Sequence, residues 1–237
     1  MFSVALIGAD GAGKTTLAKK LEKDFPLPLK YQYMGINVGS SNVASPLARL
    51  INAFKKDEVL DKETGAPKIR LTLDAKGQKA KKKNAIRAGL RFFNRFLDEW
   101  YRQFLAWKLK RRGNILIYDR HFAFDFELGN QDGLNTTEPF FDWLHRWCLA
   151  KFYPRPNLVI FLDAPAEVLY ARKREATLEY LESRRTAFLN QGKKMDNFIK
   201  VDATQSLDVV YNQVENKILA YSDKEHNIKI TGEKSYV

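Results

Sequence analysis

The chain has 237 residues, 45% of them hydrophobic, 13% aromatic and 29% charged, with a formal net charge of +12. That length suits one α/β domain better than two, and the composition excludes a disordered, collagen-like or coiled-coil chain. Cys148 is the only cysteine, so no intrachain disulfide or cysteine-cluster metal site is available; it reads as a small buried hydrophobe in a reducing, cytoplasmic protein. The apolar run at 2–7 lacks a basic leader and is too short for a membrane span.

Short apolar runs alternate with longer helical patterns, the signature of a parallel sheet flanked by helices. Five strands are expected, at residues 2–7, 31–34, 115–118, 158–162 and 198–201, most of them entered through a polar or Gly/Pro turn and each ending where a Gly or Asp appears. In such sheets ligands bind at the carboxyl ends of the strands.

After the first strand, Gly8-Ala9-Asp10-Gly11-Ala12-Gly13-Lys14-Thr15 matches G-x-x-x-x-G-K-[ST] in full and leads into the helical pattern that begins at Thr16. Backbone N–H groups at Gly11 and Gly13 converge on phosphate oxygens, and the helix that follows aims its positive end at the same anion. Lys14 then bridges the β- and γ-phosphates of a nucleotide and Thr15 ligates Mg²⁺. The expected fold is a P-loop NTPase sandwich, a five-stranded parallel sheet with helices on both faces, in one domain.

Between the second and third strands the chain turns basic. Residues 55–112 hold 18 Lys or Arg against 7 Asp or Glu, nearly the whole excess of the protein. A Lys-rich insertion at about 55–95 includes the run at 79–83, and Phe92, Phe93, Phe96, Trp100, Phe104, Leu105 and Trp107 recur at helical spacing, predicting a helix from about 84 to 110. That aromatic stripe reads as core. A basic window attracts polyanions or small phosphorylated ligands, and the second is favoured because the Lys run has no interleaved aromatics.

The third strand ends in Asp119-Arg120-His121. An acid at that tip can hold Mg²⁺ beside Thr15, and the Arg fork suits a transferring or acceptor phosphate. The fourth strand leads through Asp163-Ala164-Pro165 to Arg172, Lys173, Arg174, Arg184 and Arg185, a basic segment placed to act as a lid over the nucleotide at about 172–195. His145 and His226 show no zinc-ligand spacing with His121.

Taken in order, the phosphate loop, Asp119-Arg120, Leu162-Asp163-Ala164-Pro165-Ala166-Glu167 and Val201-Asp202-Ala203-Thr204-Gln205-Ser206 resemble the thymidylate kinase family of nucleoside monophosphate kinases. The resemblance implies an ATP- and Mg²⁺-dependent kinase in which Gly8, Ala9, Asp10, Gly11, Ala12, Gly13, Lys14, Thr15 and Thr16 hold ATP. Asp10 would also sit near the acceptor, Arg172 would belong to the lid, and Ala203 and Thr204 would touch adenine. Arg95, or alternatively Arg102, would hold the acceptor together with Arg120. The pyrimidine-reading residues of that family are replaced here by Phe122-Ala123-Phe124-Asp125-Phe126-Glu127-Leu128-Gly129, so a non-nucleotide acceptor such as a sugar phosphate is the runner-up, with Asp125 and Glu127 accepting from its hydroxyls. Expected partners are a small-molecule phosphate acceptor and, as an open alternative, a second copy of the chain in a homodimer. Two further readings are weaker: a nucleic-acid-processing ATPase or polynucleotide kinase, and a GTPase suggested by Asp74-Ala75-Lys76-Gly77-Gln78.

Overall fold

The first strand is buried on both faces from Ser3 to Ile7, and alternate side chains feed two different cores. The protein is described from a computed structural model, which covers residues 1–35, 42–43, 45, 78–121, 124, 140–174 and 176–233. Its elements in chain order are β1 Ser3–Ile7, α1 Lys14–Asp24, β2 Leu29–Tyr33, α2 Gln78–Arg111, β3 Ile115–Asp119, α3 Phe140–Phe152, β4 Leu158–Asp163, α4 Ala166–Arg172, α5 Leu178–Gly192, β5 Phe198–Asp202 and α6 Leu207–Glu233. All five expected strands are present, each within two residues of the expected bounds.

The strands form one parallel sheet in the order β2-β3-β1-β4-β5. With a side-chain period of two, Val4 and Leu6 pack with Leu17, Leu21, Val214 and Ile218 of α1 and α6, while Ala5 and Ile7 face Ala106 of α2, Leu149 of α3 and Phe188 of α5. A sheet covered on both faces needs near-continuous apolar strands, and ILIYD and LVIFLD supply them. The three-layer sandwich expected from the sequence is what forms.

Two sequence expectations change. Helix α2 begins at Gln78, some six residues before the expected start, because Lys and Ala in the run at 79–83 are good helix formers and nothing there breaks the helix. The aromatic stripe of α2 is not core: Phe93, Trp100, Phe104 and Trp107 are exposed, since the helix buries Asp98, Glu99, Arg102, Gln103 and Ala106 instead. Residues 55–77, including the Asp74 switch-like segment, lie outside the described residues, as do Asp125 and Glu127. Among the described residues no helix is long and apolar enough to cross a membrane.

Candidate active site

Register places the chemistry. Leu6 of β1 pairs with Asp119 of β3, and Tyr33 of β2 pairs with the same residue, so the phosphate loop leaving β1 and the acidic tip of β3 emerge side by side at the carboxyl edge of the sheet.

The loop is built to bring backbone to an anion. Gly11 has φ +90°, and a Cβ there would lie 2.5 Å from the carbonyl oxygen of Leu169, so only glycine fits. Gly13 caps α1 in a left-handed conformation, and the first turn of that helix carries no acid to compete with a bound anion. Lys14 is buried, and its Nζ donates to the carbonyls of Gly8 at 2.9 Å and Ala9 at 2.8 Å. These bonds hold the ammonium at the mouth of the loop.

Thr15 Oγ1 donates to Asp119 Oδ2 at 2.5 Å, and the Tyr31 hydroxyl lies 3.4 Å from the same oxygen. Burial and the neighbouring Asp119 charge raise the Tyr31 pKa, so its hydroxyl keeps its proton and remains a donor. Asp119 Oδ1 is buried and has no hydrogen-bond partner among the described residues. A hydroxyl and a carboxylate with an unused oxygen are a hard-oxygen donor set, so Thr15 and Asp119 fit the Mg²⁺ that the loop motif implies.

Arg120 follows in the left-handed region, φ 67°. Such a backbone costs a non-glycine residue on the order of 1 kcal/mol, and surrounding bonds hold it there. Its N–H donates to Leu6 at 3.1 Å, and its guanidinium meets Asp10 Oδ1 at 2.6 Å. Burial pushes the Asp10 carboxyl up, but the charges of Arg120, Lys14 and Lys173 outweigh it and hold the pKa below the usual value. Asp10 is therefore an anion at neutral pH. Lys173 enters the site through this electrostatic coupling; the sequence shows it only as one of several basic residues after β4.

A cavity of about 190 Å³ opens between the loop and the segment after β5, lined by Gly11, Gly13, Thr16, Arg172, Ala203 and Gln205 among others. Arg172 donates to the carbonyls of Ala203 at 2.8 Å and Thr204 at 3.3 Å, and Thr204 is in turn fixed by its hydroxyl and N–H on Asp202 Oδ1. Arg172 thus stands on the wall of this cavity, tied to the β5–α6 segment. Leu181 and Phe188 of α5 are buried, and Arg185 grips Asp163 with Nε–Oδ1 at 2.6 Å and NH2–Oδ2 at 3.1 Å, so α5 is a packed helix and the exposed cations Lys173 and Arg174 sit in the linker before it.

The acceptor arginines separate. Arg102 is fully buried: it pairs with Asp98 at 2.5 Å and donates through NH1 to the carbonyls of Tyr33 at 3.4 Å and Gly35 at 2.9 Å. Its guanidinium is thus tied to Asp98 and two backbone carbonyls inside the protein. Arg95 is partly exposed and lies 3.5 Å from Glu99 one turn later.

The chain is similar to known kinases in sequence and in fold. No protein-family model matches the chain. It is 33% identical over 111 residues to a probable thymidylate kinase of Methanosphaera stadtmanae, a match spanning 45% of this chain and 53% of that protein. Over nearly the full length it is 24% identical to a probable thymidylate kinase of Sulfolobus acidocaldarius, covering 93% of this chain and 98% of the other. The chain is thymidylate kinase-like. The fold of this thymidylate kinase-like chain is also that of solved thymidylate and deoxynucleoside kinase structures: thymidylate kinase from Candida albicans, with a TM-score of 0.59 and 18% identity over 93% of this chain and 92% of that one, and deoxyadenosine kinase from M. mycoides, with a TM-score of 0.51 and 16% identity over 92% and 99%.

Proposed function

We propose that the protein is an ATP-dependent nucleoside monophosphate kinase, transferring the γ-phosphoryl group of ATP to the phosphate of a nucleotide acceptor. The observation that carries this reading is the pair of bridges between the loop and the tip of β3, Thr15–Asp119 and Asp10–Arg120, which set a metal-binding pair and an anion-binding arginine around one phosphate loop.

In this reading Lys14 leaves the carbonyls of Gly8 and Ala9 to bridge the β- and γ-phosphates, while the loop amides and the N-terminus of α1 hold the β-phosphate. Thr15 and Asp119 would hold Mg²⁺, which would supply charge neutralisation at the phosphates of ATP. An oxygen of the acceptor phosphate attacks the γ-phosphorus, the bond from that phosphorus to the β–γ bridging oxygen breaks, and the β-phosphate takes the electron pair as ADP forms. The attacking oxygen is already anionic near neutral pH, so no general base is required. Arg120, oriented by the Asp10 carboxylate, and Arg95 and Lys173 offset the charge that two phosphates bring together.

The acceptor is tested by measuring ADP release at fixed Mg-ATP across deoxynucleoside and ribonucleoside monophosphates, sugars and sugar phosphates. Stimulation by one or more monophosphates supports the reading. Stimulation only by a sugar or sugar phosphate would replace it.

A further inference from the structure

Tyr31 places a phenol where the core between the sheet and helices α1 and α6 asks only for an apolar side chain. The residue is 8% exposed and sits opposite Ile117 in the β2–β3 register. Ile117 and Asp119 are two apart on β3 and share a face, so the Tyr31 ring comes alongside the Asp119 carboxylate. A buried hydroxyl is costly unless bonded, and this one donates to Asp119 Oδ2 at 3.4 Å.

The backbone that carries the ring is fixed on both edges. β2 is the outer strand of the sheet, and side chains cover its free edge: Glu22 Oε1 of α1 accepts the Tyr31 N–H at 3.2 Å, while Asn42 donates to the Tyr31 carbonyl at 3.0 Å and accepts from the Tyr33 N–H at 2.9 Å. The ladder to β3 holds the other edge.

Two hydroxyls thus donate to Asp119 Oδ2, and they differ in kind. Thr15 is itself one of the two residues that fit the metal, so its oxygen answers to the ion; Tyr31 bonds only the carboxylate. With Oδ2 taken by both donors, Oδ1, buried and without a hydrogen-bond partner among the described residues, is the oxygen left for a cation. Its placement matters more for some cations than for others. Mg²⁺ takes six oxygens at about 2.0–2.1 Å in a near-ideal octahedron, whereas Ca²⁺ accepts about six to eight at about 2.3–2.6 Å in flexible arrangements.

We propose that Tyr31 is a positioning residue for the metal: by holding Asp119 through Oδ2 it fixes Oδ1, and so makes the nucleotide site select Mg²⁺ over Ca²⁺. This rests on the reading of the loop, Thr15 and Asp119 as a nucleotide and Mg²⁺ site.

The test compares wild type, Tyr31→Phe and Tyr118→Phe as full chains. Tyr118 is a second buried tyrosine on β3, packed in the core on the opposite face of the sheet, and serves as the control for losing any buried hydroxyl. ADP affinity in EDTA is read by calorimetry. With protein in excess over ADP, bound Mn²⁺ is then followed by electron paramagnetic resonance while MgCl₂ or CaCl₂ displaces it. Metal-free ADP should bind all three proteins alike. The preference for Mg²⁺ over Ca²⁺ should fall about tenfold in Tyr31→Phe, the size of effect expected when a group that orients a metal ligand is removed, and stay at the wild-type value in Tyr118→Phe. An unchanged Mg²⁺/Ca²⁺ ratio in Tyr31→Phe would overturn the role of Tyr31 alone and leave the nucleotide site standing. An equal fall in Tyr118→Phe, or metal-free ADP binding weakened as much as Mg²⁺ binding in Tyr31→Phe, would reduce Tyr31 to a packing residue and overturn the proposal. A wild-type chain that binds no ADP would overturn the nucleotide-site reading and this inference with it.

Discussion

Thr15 Oγ1 and Asp119 Oδ2 lie 2.5 Å apart although 104 positions separate them in the chain, which joins the first turn of α1 to the tip of β3. The β1–β3 register puts these two residues together, and the unused Oδ1 of Asp119 is what a metal would take. Asp119→Asn keeps the shape but removes the negative charge and one of the two oxygens. Its kcat is expected to fall about 10²-fold, with a higher Mg²⁺ concentration needed for half-maximal rate, a loss of the size seen when one preorganised charge contact is removed. An unchanged Mg²⁺ titration would remove Asp119 from metal binding.

Gly35 is small for the sake of Arg120. A Cβ at position 35 would stand 2.7 Å from Arg120 Cδ and 2.6 Å from the Tyr33 hydroxyl, while the Gly35 carbonyl is held from below by Arg102. Gly35→Ala is therefore expected to displace the Arg120 side chain from Asp10. The kinetic signature is a drop of about tenfold in kcat/KM for the acceptor with KM for ATP nearly constant, measured by varying each substrate in turn.

Arg102 itself is a matter of stability. Arg102→Met leaves Asp98 buried without its cation and frees the carbonyls of Tyr33 and Gly35, and breaking a buried pair on one side costs roughly 3–5 kcal/mol. For a domain of this size that is a fall in Tm of about 10 °C, read by calorimetry. A shift under about 2 °C would mean that the buried pair contributes little.

His121 gives a pH signature. Its ring is fully buried among Tyr118, Phe124 and Tyr153, at centroid distances of 5.7, 5.8 and 5.4 Å, and burial lowers its pKa from 6.5 to about 4. Between those two values the unfolded chain binds a proton that the folded chain refuses, so stability falls as pH falls from about 6.5 to 4 and is fully present above. The full loss is about 3 kcal/mol. Carboxylates such as Asp10 and Asp163, whose pKa values are held down, act below that window. Urea unfolding at pH 7, 5.5 and 4.5 should show the slope in wild type and a flatter one in His121→Phe; identical slopes would contradict it.

The loop, the five strands and the Asp119-Arg120 tip were legible because each is local: a contiguous motif, an apolar run, an acid at a strand end. What the sequence hides is set by partners far along the chain. Arg102 and Arg95 are both arginines on one helix, and only packing shows that Asp98 and two backbone carbonyls occupy Arg102. Periodicity marks the aromatic stripe of α2 as a face but not which side of the helix meets the sheet, and here the polar row from Asp98 to Gln103 goes inward. Arg172 likewise reads as part of a basic lid segment, and its bonds to the Ala203 and Thr204 carbonyls come from residues some 30 positions on.

The central claim is phosphoryl transfer from this loop to a nucleotide acceptor. The most direct measurement is acceptor-dependent ADP formation by wild type and by Lys14→Ala, with melting curves of both. The account predicts turnover that requires a nucleoside monophosphate and falls at least about 10²-fold in Lys14→Ala at an unchanged Tm. ADP formation that ignores every nucleoside monophosphate, or a Lys14→Ala variant as active as wild type, would contradict it.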